Sequence, residues 1–322
     1  MKENGGEALK KILITGCNGQ LGRALNQFYA KHPDIQLINT DVEDLDIANA
    51  NEVMEYVSKI HPDIIINCAA YTNVDDCEKN QELAYRINVD GPKNLSVASN
   101  EVGAVLVHIS SDYVYDGRKK EPYLEEDDYA PQSVYGMTKM KGDAYVTEIA
   151  HKYFIVRTAW LYGEGKNFPL TMLKLAEKRK QIAVVMDQIG SPTSAYEVVK
   201  VIDLLCKSDQ YGVYHATCEG SCSWAEFAKT LFELCEVNVE VVPVTSEEYG
   251  SPAARPAYSV LENKKLNDQF NYRMQEWKIA LIKYLSDKGL MKKEIGEHVK
   301  NRKKVLVTGA NGYIGRHVVK SL

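Results

Sequence analysis

The feature that most constrains this chain is a short apolar segment followed by regularly spaced glycines. Residues 11–15, KILIT, are continuously apolar and β-branched, as in a buried strand. Gly16, Gly19 and Gly22 follow, and apolar residues from Leu21 onward repeat at helical spacing. Glycines here allow a sharp turn, close backbone approach to a pyrophosphate and tight helix packing. The pattern therefore predicts a strand, a dinucleotide-binding turn and a helix; a turn without a ligand is the alternative.

Apolar strands alternate with helical segments along the first half of the chain. Such strands, joined by helices, are typical of parallel sheets covered on both faces. We therefore expect an α/β fold, a doubly wound parallel Rossmann sheet with a smaller substrate-binding lobe. The predicted strands are 11–15, 36–39, 63–67, 105–110 and 154–157, and the predicted helices are 49–60, 83–102 and 139–150.

A change in sequence texture after residue 160 sets the predicted domain boundary. Residues 1–160 are expected to form the NAD(P)-binding core, with strands near 184–195 and 212–217 returning to it. Residues 161–285 contain loops rich in glycine, proline and serine. We expect them mainly to form the smaller lobe over the carboxyl ends of the strands, where ligands bind in open α/β sheets.

The end of the chain repeats its beginning. Residues 304–322 start with KVLVTGANGYIG, against KILITGCNGQLG at residues 11–22. The intervening residues 286–303 are polar and charged, which is typical of a linker. Because a lone strand–helix unit cannot bury its apolar face, we interpret 304–322 as a truncated second Rossmann unit. A tail that docks on the main domain is the alternative.

Composition excludes several classes of partner. The net charge of −5 gives no general attraction to nucleic acid or to an anionic membrane. No stretch is long and apolar enough to span a bilayer, and the polar N-terminus does not resemble a signal peptide. The seven cysteines are odd in number and fit reduced thiols. We therefore expect a cytoplasmic protein.

Acidic residues follow the second predicted strand. Asp41 stands 25 residues after Gly16. A carboxylate at this place accepts hydrogen bonds from the adenosine ribose and favours NAD over NADP. Asp41 or Asp46 is the candidate, and an ordinary solvated acidic loop is the alternative.

A tyrosine and a lysine stand four residues apart in a helical segment. This spacing puts Tyr135 and Lys139 on one helix face. An ammonium group near a phenol stabilises the phenolate and so lowers the phenol pKa, which suits proton transfer. Ser111, at the end of a predicted strand, supplies a hydroxyl that can stabilise developing negative charge on a carbonyl oxygen. Capping of a turn is the alternative role for the serine.

Seven motifs in the same order resemble the extended short-chain dehydrogenases, and within them the dTDP-4-dehydrorhamnose reductases. They cover roughly residues 10–285, and Ser111 stands where that family usually has threonine. The motifs are TGCNGQLGR (15–23), NCAAYTNVDDCE (67–78), SSDYVYDG (110–117), YGMTKMKGD (135–143), RTAWLYG (157–163), DQIGSPT (187–193) and RPAYSVL (255–261). Residues 304–322 lie outside this resemblance and look like the start of another short-chain dehydrogenase.

The resemblance implies NADH- or NADPH-dependent reduction of the C4 keto group of dTDP-4-dehydro-L-rhamnose. Tyr135 would be the proton donor, with Lys139 and Ser111 as its partners. The predicted cofactor-binding residues are Gly16, Gly19, Gln20, Leu21, Gly22, Asp41, Asp46, Ile47, Ala69, Ala70, Tyr71, Thr72, Tyr135 and Lys139. The predicted substrate-binding residues are Ser111, Asp112, Trp160 and Arg255, the last because a guanidinium suits a phosphate.

Other readings stay open at this point. An epimerase or dehydratase would share the fold but keep NAD tightly bound. A non-catalytic NADP-binding regulatory subunit, similar to the accessory subunit of methionine adenosyltransferase, is a further alternative. Scattered histidines predict no catalytic metal, so Mg²⁺ has no support from this sequence. Some family members form metal-assisted homodimers, and the residues here do not decide the oligomeric state.

Overall fold

The computed structural model describes residues 9–291. The strands are β1 (Lys10–Thr15), β2 (Ile35–Thr40), β3 (Ile64–Asn67), β4 (Val105–Ser111), β5 (Tyr153–Thr158), β6 (Leu161–Tyr162), β7 (Gln181–Val185), β8 (Ile189–Gly190), β9 (Thr193–Ser194), β10 (Gly212–His215), β11 (Cys222–Ser223) and β12 (Glu240–Val244). The helices are α1 (Gln20–Tyr29), α2 (Ala50–Ile60), α3 (Val74–Lys79), α4 (Gln81–Tyr85), α5 (Gly91–Val102), α6 (Val134–Ile149), α7 (Phe168–Ala176), α8 (Ala195–Cys206), α9 (Trp224–Leu234), α10 (Ser246–Tyr249), α11 (Lys264–Phe270) and α12 (Trp277–Asp287).

Within residues 9–291, six parallel strands form the central sheet, in the order β10-β5-β4-β3-β1-β2. Strand β1 lies between β2 and β3, with Ile14 opposite both Asn39 and Ile66. Helices cover both faces. Leu25 and Ile202 are buried on the face of α1 and α8, and helices α2, α5 and α6 cover the other face. The predicted doubly wound parallel fold is confirmed.

The predicted helix 83–102 contains a wider turn. Helix α4 is followed by a π-helical turn, Arg86–Asp90, and then by α5. Pro92 lacks the N–H group that would otherwise bond to the carbonyl of Asn88. Gly142 of α6 packs against that same carbonyl, because a Cβ there would lie 2.3 Å from Asn88 O. The π turn is therefore accommodated by Pro92, which follows it in the chain, and by Gly142 of the neighbouring helix α6.

The smaller lobe pairs short strands that are distant in sequence: β7 with β12, β8 with β11 and β6 with β9. Its core includes Phe227 and Leu281, both fully buried. Strand β10 returns to the edge of the central sheet beside β5, near the expected 212–217. Segment 184–195 differs from expectation, since its strands belong to the lobe sheets. Pro192 lies between β8 and β9 and has no N–H group to donate, so these two short strands do not join into one.

The end of the described chain also differs from the predicted boundary. Helix α12 continues to Asp287, inside the predicted linker 286–303. The rest of that linker, from residue 292, and the predicted second Rossmann unit at 304–322 lie outside the described residues. The first eight residues of the predicted core, 1–160, also lie outside them.

Gly142→Ala tests the packing of α6 against the π turn. Alanine normally stabilises a helix by about 1 kcal/mol relative to glycine. Here the added Cβ meets the backbone carbonyl of Asn88, so we expect a loss of about 1–3 kcal/mol in the free energy of unfolding, measured in urea. Glu148→Ala, on the exposed face of α6, is the control and should change stability by less than about 0.5 kcal/mol. Stabilisation by Gly142→Ala would contradict this account.

Candidate active site

Two adjacent cavities lie at the carboxyl edge of the central sheet. The central cavity measures about 670 Å³ and the side cavity about 350 Å³. Gly19, Cys68 and Ala70 line both cavities, so one extended ligand can occupy the two together. The predicted site residues in the central cavity are Gly19, Gln20, Leu21, Gly22, Ala70, Thr72, Ser111, Asp112, Tyr135, Lys139 and Trp160. Those in the side cavity are Gly16, Gly19, Asp41, Asp46, Ile47, Ala69 and Ala70.

The glycine loop connects β1 to α1 by close backbone contacts. Gly16 has a φ of 64°, and a Cβ there would lie 2.7 Å from the backbone N and Cα of Ala69. A Cβ at Gly22 would lie 2.5 Å from the carbonyl oxygen of Gly16. Helix α1 begins at Gln20, directly after this loop, so its N-terminal N–H groups face the cavity mouth. The loop therefore suits a pyrophosphate.

The side cavity carries the predicted acidic residues together with an arginine. Asp41 accepts hydrogen bonds from the backbone N–H groups of Asn18, at 3.0 Å, and Val42, at 2.9 Å. Asp46 forms an ion pair with Arg86 at 3.3 Å. Arg86 also lines the cavity, and sequence reasoning missed it because it belongs to the π turn, about 40 residues downstream of Asp46.

The segment after β3 divides its residues between the cavities and the core. Ala69, Ala70 and Thr72 line the cavities. Tyr71 instead bonds through its hydroxyl to Asp76, and its backbone exchanges hydrogen bonds of 2.8 and 3.1 Å with the amide of Asn88. Tyr71 is thus tied to the π turn, and its contact with a cofactor stays a prediction.

The predicted catalytic residues come together in the central cavity. Ser133 caps α6 through a 3.1 Å bond from Gly136 N, which places Tyr135 in the first turn of the helix. Burial raises the pKa of Tyr135, and a hydrogen bond with Ser111 opposes this rise. Burial lowers the pKa of Lys139 to about 8, and the carboxylate of Asp143 opposes that shift. The neutral phenol of Tyr135 thus lies near the Ser111 hydroxyl and near the Lys139 amine, which changes its protonation state close to neutral pH.

Asp112 and Trp160 also line the central cavity. Ser111 Oγ donates to Asp112 Oδ1 at 2.8 Å, and burial raises the pKa of Asp112 to about 6. Trp160 stacks on Trp224, with ring centroids 3.6 Å apart and ring planes 6° apart. Trp224 also lines the cavity, and sequence reasoning missed it because the lobe brings it there from 64 residues away.

Arg255 lies in an ion pair at the edge of the site. Its guanidinium donates to both carboxylate oxygens of Asp75, at 3.0 and 2.8 Å. This pairing holds the pKa of Asp75 below its ordinary value. The structure therefore accounts for Arg255 as a link between α3 and the loop that precedes residue 257, and its contact with a substrate phosphate stays a prediction.

Residues 9–291 contain no group of three or more histidine, cysteine, aspartate or glutamate side chains arranged to hold a metal ion. None of the helices in this range is long and apolar enough to cross a membrane.

Comparison with known proteins matches nearly all of the described residues to one protein family. The sequence model of the RmlD substrate binding domain matches residues 10–289. Spore coat polysaccharide biosynthesis protein SpsK of Bacillus subtilis is 38% identical over 281 residues, covering 87% of this chain and 98% of SpsK.

Solved structures give the same result. A dTDP-4-dehydrorhamnose reductase from Clostridium acetobutylicum is 46% identical with a TM-score of 0.85, covering 87% of this chain and 99% of that one. The dTDP-4-dehydrorhamnose reductase from Bacillus anthracis, solved in complex with NADP, is 44% identical with a TM-score of 0.84 and the same coverage.

Gly16→Ala tests the glycine loop. The new Cβ would meet the backbone of Ala69, so we expect affinity for NADH and NADPH to fall by about tenfold or more, measured by fluorescence titration. Gly103→Ala is the matched control, because Gly103 also has a positive φ, 72°, but a Cβ there meets no atom of the described chain within 4 Å. Both variants should lose similar backbone stability. Equal affinities in the two variants would refute the steric argument.

Proposed function

This chain belongs to the family of the RmlD substrate binding domain, and from that premise we propose that it is a nucleotide-sugar reductase. The proposed reaction is reduction of the C4 keto group of dTDP-4-dehydro-L-rhamnose to dTDP-L-rhamnose, with NADH or NADPH as reductant. The observation that carries this proposal is that cofactor-binding and proton-transfer residues line the same cavity. The dinucleotide-type glycine loop opens into the same cavity as Tyr135, Lys139 and Ser111.

Tyr135 is the proposed proton donor. Its buried phenol is neutral near physiological pH because burial raises its pKa, so it carries a proton to give. Ser111 interacts with this phenol, while its own proton is donated to Asp112 Oδ1 at 2.8 Å. It would bond the substrate carbonyl oxygen after turning away from Asp112. Lys139, when protonated, stabilises the phenolate that remains after transfer. The nicotinamide dinucleotide supplies the hydride when it is bound.

Asp112 and Trp160 form the proposed binding surface for the sugar nucleotide. Asp112 Oδ2 is buried and has no hydrogen-bond partner among the described residues. A sugar hydroxyl would satisfy this oxygen, and Trp160 supplies an adjacent apolar surface. A cytoplasmic location and a homodimer remain predictions for this protein.

The decisive experiment follows the absorbance of NADH or NADPH with purified protein and dTDP-4-dehydro-6-deoxy-L-mannose. Substrate-dependent loss of absorbance supports the proposal. In Tyr135→Phe we expect turnover to fall by about 100-fold or more, because the proton donor is gone, while cofactor affinity stays near the wild-type value. Normal turnover in Tyr135→Phe would remove the assigned role. No turnover by the wild type, with cofactor binding intact, would favour a different sugar-nucleotide substrate or the regulatory alternative. Tightly co-purifying NAD would favour an epimerase or dehydratase.

Asp41→Asn tests the discrimination between cofactors. The Asp41 carboxylate lines the side cavity and would repel a 2′-phosphate on the adenosine ribose. Its loss should therefore lower the ratio of kcat/KM for NADH to that for NADPH by about tenfold. Glu43→Gln removes an exposed acidic residue of the same loop and should leave the ratio unchanged. The same change in both variants would indicate a general effect of loop charge.

A further inference from the structure

Lys139 is the end of a buried chain of polar side chains that starts on β1. Thr15 Oγ1 donates to Asn67 Oδ1 at 2.8 Å, and Asn67 Nδ2 lies 3.1 Å from His108 Nδ1. His108 Nε2 lies 3.3 Å from Lys139 Nζ, which also donates to the carbonyl oxygen of Ile109 at 2.7 Å. His108 is fully buried and Lys139 is 2% exposed. Both side chains are therefore surrounded mainly by protein atoms, and these contacts influence their protonation.

The orientation of Asn67 is fixed by a backbone group. The N–H of Ala69 donates to Asn67 Oδ1 at 3.2 Å. A reversed amide would place two donors against each other, so Nδ2 must face the imidazole. His108 Nδ1 is consequently a hydrogen-bond acceptor.

This contact determines the tautomer of His108. Burial, together with the charge of Lys139, moves the pKa of His108 well below its ordinary value, so the ring is neutral. A neutral imidazole with an accepting Nδ1 carries its proton on Nε2. That N–H faces Lys139 Nζ, where an amine lone pair can accept it and an ammonium cannot. The His108 contact therefore stabilises the neutral amine.

Asp143 acts on Lys139 in the opposite sense. It lies one helical turn beyond Lys139 and is fully buried. Its Oδ2 accepts from Ser110 Oγ at 2.9 Å and from Arg157 Nε at 3.4 Å. Its Oδ1 lies 3.7 Å from His108 Nε2 and has no hydrogen-bond partner among residues 9–291. The Asp143 carboxylate raises the pKa of Lys139 and so stabilises the ammonium form of the lysine.

Other titratable groups face the same space. Tyr135 lies one turn before Lys139 on α6, Cys68 follows β3 and Arg157 projects from β5. The pKa of Cys68 is raised by burial, so this thiol is neutral, as is Tyr135. Arg157 is bonded to Asp143 and to the hydroxyls of Tyr115 and Tyr129. Among the described residues, His108 and Asp143 are thus the groups whose contacts favour opposite charge states of Lys139.

We propose that His108 and Asp143 are positioning residues that set the charge of Lys139 in opposite directions. The His108 Nε2–H favours the amine, and the Asp143 carboxylate favours the ammonium. The inference deepens the proposed function, on which its catalytic consequence rests, because only the ammonium form stabilises the phenolate left by Tyr135.

Lys139 changes charge close to neutrality, and the two residues act in addition to the effect of burial. Burial is the main cause that lowers the pKa of Lys139 to about 8. Reduction should therefore slow as pH rises through this region, since the ammonium is lost. His108 and Asp143 are proposed to control the pH at which this fall in rate, the basic limb of the pH profile, occurs.

Carbon-13 NMR of protein labelled at lysine Cε measures the titration of Lys139 directly. The Lys139 resonance is assigned by its absence in Lys139→Met. His108→Asn leaves no donor at the Nε2 position, so the Lys139 titration should move upward by about one pH unit. Asp143→Asn removes the carboxylate, so it should move downward by a similar amount. The basic limb of NADH oxidation should shift with it in each variant.

Glu125→Gln is the matched control. Glu125 is also a buried carboxylate, but it bonds to the backbone N–H groups of His215 and Lys265, on the other side of Arg157. We expect no change in the Lys139 titration. Circular dichroism confirms folding of each variant; if Asp143→Asn does not fold, His108→Asn decides alone.

The outcomes separate this inference from the proposed function. Shifts of opposite sign support it, and shifts of the same sign, or none, overturn it. Because NMR needs no sugar substrate, failure of the reductase assay with opposite NMR shifts would reject the proposed reaction and keep the assignment of His108 and Asp143. An unchanged Lys139 titration in both variants of an active reductase would reject the assignment of His108 and Asp143 but not the proposed reaction.

Discussion

The backbone contact between the glycine loop and the segment after β3 is the constraint on which the site depends. Gly16 lies so close to Ala69 that no side chain fits between the two loops. Gly19, the next glycine of its loop, and Ala70, the residue after Ala69, line both cavities. This contact follows from the parallel pairing of β1 with β3, which itself requires strands that are apolar on both faces. The buried strands therefore create the adjacent cavities as well as the core.

A cluster of buried charges lies beneath this edge of the sheet. Lys139, Asp143 and Arg157 are each at most 2% exposed. Removing a charge from water costs several kcal/mol, and apolar residues of similar volume often give a more stable core. Stability is thus a poor explanation for these three residues. Lys139 and Asp143 lie beside His108 and follow Tyr135 on α6, and Arg157 is bonded to Asp143. Control of the charge near the proton donor explains the three residues better.

Local patterns predicted the fold and the meeting of Tyr135, Lys139 and Ser111, because helix spacing and strand ends determine where such side chains point. The position of His108 between Asn67 and Lys139 could not be read in this way. Such contacts join β3, β4 and α6, and no local periodicity encodes them. The same limit explains the missed role of Trp224 and the unexpected pairing of segment 184–195, which both depend on how the lobe packs.

Trp160 joins the two halves of the molecule at the cavity wall. It has a φ of 48°, a strained value for a residue with a side chain. Its indole packs against Gly190, where a Cβ would lie 2.4 Å from the ring, and it stacks on Trp224 of α9. The strain is held by lobe residues, whereas Tyr135 and Lys139 are held by the core. Changes in lobe packing would therefore alter the surface that a ligand meets while leaving the proton donor in place, so recognition can change independently of the chemistry.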